Sequence, residues 1–180
     1  MELKRVVVTG LGAVTPLGLN VDETWEALLN GVSGAGPITH FDASQFKTQF
    51  ACEVKNFDPT LYLDKKEVRK FDRYAQFAVA AAKEAVGDSA LDLEKVDKNR
   101  VGVIFAAGIG GIRTFEEEVG GYFTNIERGP KFNPFFIPKM IADIAAGHIS
   151  MIYGFHGPNY ATVSACASCL LYTSPSPRTS

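Results

Sequence analysis

Cysteine is scarce in this chain: three residues in 180, at positions 52, 166 and 169. So few, so unevenly placed, cannot build the disulfide framework of a small secreted domain, and the expected setting is a reducing cytoplasm with free thiols. An excess of charge of one sign is equally lacking. Lys and Arg number 18 against 20 Asp and Glu, a net charge of -2, which leaves no clustered basic surface of the kind nucleic acid demands. Lys4 and Arg5 precede only Val6, Val7 and Val8 before Gly10, too short an apolar run for an export signal. The uncharged stretch from Val101 to Ile112 is interrupted by glycines and falls short of the ~20 residues that cross a bilayer, so no membrane span is expected. Internal repeats and heptads are missing too, and no second cysteine pair exists to complete a four-ligand zinc site, so no metal or cofactor is expected.

What is present is apolar and glycine-punctuated. A hydrophobic share of 46% over this length can bury a core of about one domain. Arg5 to Thr9 reads as a buried β-branched strand feeding the loop Leu11 to Gly18. Asn20 with Glu23 forms a capping box, predicting a helix from Val21 to Asn30 that stops at Gly31. Phe50, Cys52 and Val54 alternate as a half-buried strand would, with Cys52 in the core. From Asp72, the residues Tyr74, Phe77, Ala78, Ala81, Ala82 and Ala85 recur at helical spacing up to Gly87; the mostly alanine face lets a neighbouring backbone approach closely. Arg100 to Ala106 reads as a strand ending in the turn Ala107 to Gly111, Met140 to Tyr153 as a helix apolar almost all round, and Asn159 to Val163 as a last strand. Strands ending in glycine loops between helices define an α/β protein. The tail from Cys169 to Ser180, with Pro175 and Pro177, changes character and reads as non-native or disordered, leaving 1–168 as the domain.

A free cysteine is by composition a small hydrophobe, but the setting of Cys166 says otherwise. It follows a strand directly, between Ala165, Ala167 and Ser168, whose small side chains permit the sharp strand-to-helix bend that exposes a nucleophile. An unperturbed thiol, with pKa about 8.5, is only about 3% ionised at pH 7; a helix N-terminus favours the thiolate.

The string Gly157-Pro158-Asn159-Tyr160-Ala161-Thr162-Val163-Ser164-Ala165-Cys166-Ala167-Ser168 resembles the active-site segment of β-ketoacyl-acyl carrier protein synthases. Arg5 to Gly18 is similar to that family's first strand and loop, and Gly108-Ile109-Gly110-Gly111 and Pro134-Phe135-Phe136-Ile137-Pro138 resemble its type II branch. Matches run in order from about Val6 to Ser168. The resemblance implies a thiolase-like α-β-α-β-α layered sandwich, here its N-terminal half, from an enzyme that works as a homodimer. It implies that Cys166 is the catalytic nucleophile, holding an acyl group as a thioester while malonyl-acyl carrier protein is decarboxylated and condensed in fatty-acid elongation. It also implies that Ile109 gates the acyl tunnel, that Phe136 and Ile137 line its far end from the other subunit, and that Lys66, Arg69 and Lys70 dock the acidic acyl carrier protein. These three cations fall at i, i+3 and i+4, one face of a helix. The family's decarboxylating histidines lie in its C-terminal half; His40, His148 and His156 match none of them, and the 180 residues alone are expected to be inactive.

Two rival readings stay open on the residues. Gly10-x-Gly12 after a strand invites a nucleotide-binding oxidoreductase, although Thr15 replaces the third glycine of that fingerprint. Cys166-Ala-Ser-Cys169 is formally a C-x-x-C redox module.

Overall fold

The computed structural model describes residues 5–129 and 131–168, and the chain folds as two compact units. The first combines the residues up to Arg69 with Gln76–Val96; the second combines Lys70–Ala75 with the residues from Asp97 onward.

In the first unit helix α1, Val21–Leu29, starts where the capping box predicts. The Asn20 side chain accepts the Glu23 N–H at 2.8 Å, and the Glu23 carboxylate reaches back to the Leu19 N–H, also at 2.8 Å. Gly31, at φ 64, turns the chain out after the Asn30 cap. Strand β1, Gly36–Pro37, pairs antiparallel with β2, Phe50–Ala51. Helix α2 is one turn, Lys65–Val68, and α3 runs Arg73–Asp88, its first three residues lying in the second unit. The Phe57 ring packs edge-on to Phe77 at 4.9 Å and stacks on Tyr62 at 5.6 Å.

The alanine face of α3 does what its composition predicts. A Cβ placed on Gly12 would sit 2.0 Å from the Ala81 carbonyl oxygen, and one on Gly10 2.3 Å from that of Ala85, so the glycine loop lies directly on the helix backbone. Acidic side chains of the same helix tie the loop down: Asp88 accepts the Leu11 N–H, and Glu84 accepts those of Ala13 and Val21, each at 2.8 Å. Both glycines of the Gly10-x-Gly12 pair are thus occupied in packing against a helix.

Two readings fail in this unit. Arg5 to Thr9 forms no strand among the described residues; Val6 is 89% and Val8 79% exposed, because the loop beyond them is anchored by side chains of α3 and no ladder partner lies alongside. Cys52 is exposed, not core: along residues 50–53 Phe50 and Cys52 are exposed while Ala51 and Glu53 are half-buried, the opposite phase of the expected alternation.

The second unit pairs β3, Val103–Ile104, in parallel with β4, Asn159–Tyr160, in the register Val103↔Asn159 and Ile104↔Tyr160. Both strands are shorter than the runs predicted. Helices α4, Ile112–Thr124, α5, Phe136–Met140, and α6, Ile144–Tyr153, complete it. Phe71, Val103, Ala145, Ala146, Ile149 and Phe155 are buried, and the Asn159 side chain donates to the Ala146 carbonyl at 2.9 Å, locking β4 to α6. His148 stacks on Phe71 with ring centres 3.6 Å apart, a packing role.

The single helix predicted from Met140 to Tyr153 is broken at Ile141, which is extended at ψ 138. Tertiary donors capture the carbonyls a continuous helix would use: the Gly111 N–H bonds the Met140 oxygen at 2.9 Å and the Tyr74 hydroxyl bonds that of Ile141. From Ile144 to Ser168 the sequence has no Asp, Glu, Lys or Arg, yet α6 is ten residues long and stops at Gly154 in the left-handed region. Among the described residues no helix is long and apolar enough to cross a membrane.

Candidate active site

Beyond β4 residues 161–163 have no regular structure, and Ser164 leads into a single 3-10 turn, Ala165–Ala167. Ala165 sits at φ 44, a left-handed conformation that costs a residue with a Cβ about 1–3 kcal/mol. Two serines hold that turn. The Ser164 and Ser168 hydroxyls lie 2.7 Å apart, and Ser168 also donates to the Ala165 carbonyl at 2.8 Å. The result is an exposed Cys166 at the tip of a strained bend. Cys169, the second thiol of the rival C-x-x-C reading, lies outside the described residues, as does the rest of the tail.

An apolar pocket of about 300 Å³ opens in the same unit, lined by Ile109, Ile112, Phe115, Met140 and Ile141. Ile109 stands on the wall of this pocket and is 70% exposed. Phe136 does not line this pocket; it stands behind it, stacked on Phe132 at 5.6 Å and tilted against Phe115 at 6.3 Å. Ile137 is exposed on α5 and also outside the lining. Cys166 is not among the lining residues either.

Of the three cations, Lys66 and Arg69 are exposed. Arg69 follows α2 with helical angles, φ -71 and ψ -22, so those two keep helical spacing. Lys70 belongs to the second unit, is half-buried, and holds its ammonium 5.8 Å from the centre of the Phe135 ring. The single face predicted for all three thus ends at Arg69, where the helical turn ends.

Sequence reasoning passed over three polar residues beside the pocket. Asp72, immediately before α3, is buried and accepts the Thr114 hydroxyl at 2.5 Å, Thr114 itself being 4% exposed. Tyr74 is the third, through its bond to Ile141. Asp72 had a legible signal, an acidic residue at a helix start; Thr114 had none. Among the described residues no group of His, Cys, Asp and Glu could hold a metal ion.

The family model of the β-ketoacyl synthase N-terminal domain matches residues 3–174, and the chain belongs to that family. Its similarity to curated proteins falls on 3-oxoacyl-[acyl-carrier-protein] synthase 2: 48% identity to that of Coxiella burnetii over 94% of this chain and 41% of the relative. The Synechocystis protein of the same name is 43% identical over 93% of this chain and 40% of its own length. Among solved structures, the ishigamide ketosynthase/chain length factor superposes with a TM-score of 0.80 at 26% identity, over 90% of this chain and 40% of that one. A β-ketoacyl synthase from Burkholderia phymatum gives 0.73 at 26% identity, over 92% and 41%. A type II polyketide ketosynthase, solved with its acyl-carrier protein and bound to a hexaketide, gives 0.66 at 28% identity, over 86% and 40%. These likenesses establish the thiolase-like α/β fold expected from the sequence, and the chain spans about 40% of the length of the relatives it matches.

Proposed function

We propose that this chain supplies the nucleophile of a fatty-acid condensing enzyme, a 3-oxoacyl-acyl carrier protein synthase acting as a homodimer in the cytoplasm. The Cys166 thiolate attacks the carbonyl of an acyl thioester carried by acyl carrier protein; the carbon–sulfur bond to the carrier breaks and the carrier leaves as its thiolate. Malonyl-acyl carrier protein then loses carbon dioxide, and the carbanion so formed attacks the Cys166 thioester carbon. Cys166 departs as thiolate and the product is a 3-oxoacyl chain on the carrier. Negative charge on the carbonyl oxygen in both attacks calls for backbone donors, the Cys166 N–H being one.

Ile109 belongs to the acyl end of this site, Phe136 and Ile137 reach the far end of the other subunit's, and Lys66 and Arg69 belong to the docking surface for the acidic carrier. The observation that carries the reading is the exposure of Cys166 on a bend strained at Ala165, since such strain persists only where the surrounding structure maintains it. None of the three histidines matches a family decarboxylating position, so the 180 residues alone perform no condensation.

The test is acylation. Incubated with acyl-acyl carrier protein, the chain should gain one acyl mass on the peptide holding Cys166, and Cys166→Ser should lose it. An adduct on Cys52 alone, or none on a folded chain, defeats the assignment.

A further inference from the structure

Two walls make the apolar pocket: Ile109, Ile112 and Phe115 come from the glycine turn and the start of α4, and Met140 and Ile141 from the end of α5. Such a pocket selects ligands by depth and width only while its walls hold their separation. Along the rim they are joined backbone to backbone. The Gly111 N–H bonds the Met140 oxygen, and Gly110, at φ 87, lies so close that a Cβ there would be 2.3 Å from that same oxygen.

A second connection comes from the start of α3. Asp72 takes the hydroxyl of Thr114, which lies between the wall residues Ile112 and Phe115, while Tyr74 donates its hydroxyl to the carbonyl of the wall residue Ile141. The two arms are joined to each other, since the Tyr74 N–H donates to the second Asp72 oxygen at 3.3 Å. Asp72 is 8% exposed, so its partner cannot be exchanged for water without cost. The residues that open α3 therefore bond to both walls.

We propose that Asp72 and Tyr74 are positioning residues that set the span of this pocket, and with it the length of aliphatic chain it accepts. The inference rests on the acyl-binding reading of the pocket. A saturated chain gains about fourfold in affinity for each further methylene it buries, and the gain stops where the pocket ends. Neither residue touches the chain; each acts through Ile141 or Thr114.

The test is calorimetric titration of the 180-residue chain with saturated fatty acids from hexanoate to palmitate. The parent chain should show affinity climbing and then levelling at one length. In Tyr74→Phe, which keeps the ring and deletes the hydroxyl, the levelling point should move by one methylene or more, with affinity for the shorter acids falling roughly fourfold. A merely structural role would lower the melting temperature and leave the levelling point unchanged, and that result overturns the proposal while sparing the acyl pocket. Should Tyr74→Phe lose its fold, Thr114→Val releases the other arm and answers the same question, and Thr114→Ser, which retains the hydroxyl, should restore the parent profile. No dependence on chain length in the parent itself would remove the acyl-binding reading and this inference with it.

Discussion

The hydroxyls of Ser164 and Ser168 meet at 2.7 Å across the turn that presents Cys166. Because Ser168 also bonds the Ala165 carbonyl, the bend is closed by side chains on both sides of a residue in the left-handed region. The turn thus stores strain at one residue and offsets it with its neighbours.

Glycine tolerates that conformation and a β-branched residue does not. Ala165→Gly should leave stability unchanged or raise it by up to ~1 kcal/mol, and Ala165→Val should lower it by about 1–3 kcal/mol. Urea denaturation of the two variants measures both.

Glu84 binds two backbone N–H groups, one of them at the first position of α1. Glu84→Ala strands both and removes charge-assisted bonds from a partly buried site, a loss of about 2–3 kcal/mol. The denaturation midpoint should fall accordingly, and the amide protons of Ala13 and Val21 should exchange faster.

Burial, then the negative charges of Asp72 and Asp143, push the Tyr74 phenol up to about 12 from 10.0. The folded state therefore holds this proton more tightly than the unfolded chain. Its contribution to stability is complete below pH 10 and is lost as pH rises toward 12. The phenolate absorbance lost in Tyr74→Phe should titrate near the upper value, and the variant's alkaline denaturation should show a shallower fall across that window.

Charge reversal at the exposed pair Lys66 and Arg69 should weaken transfer from acyl-acyl carrier protein to Cys166 on the order of tenfold. Transfer from a small acyl thioester, which needs no docking surface, should be unchanged. Equal loss with both donors would mean that the substitutions had damaged the fold, and no loss with either would remove these cations from carrier docking. Raising the ionic strength should imitate the substitutions.

Much of the local structure was legible because its causes are local. The α1 cap depends on Asn20 and Glu23 alone, and the mostly alanine face of α3 announced a close backbone neighbour without saying that Gly10 and Gly12 would supply it. The glycine turn at Ile109 and the bend at Cys166 were legible through small residues in an unusual order. What the residues did not disclose was decided by partners distant in sequence. The break at Ile141 depends on a hydroxyl 67 residues away, and the Asp72–Thr114 bond joins positions 42 apart. Cys52 fits the alternation of its segment, but β1 fixed the register in the opposite phase. The strand expected at Arg5 to Thr9 has the right composition without a ladder alongside among the described residues, and composition cannot supply one.

The meeting of Gly12 with the Ala81 carbonyl has a further consequence. Main chain presses on main chain there, so trimming a helix side chain cannot make room for a methyl group at position 12. Only moving the helix axis could, and Glu84 and Asp88 hold that axis to the same loop. A designer wishing to vary this loop would have to redraw the helix first.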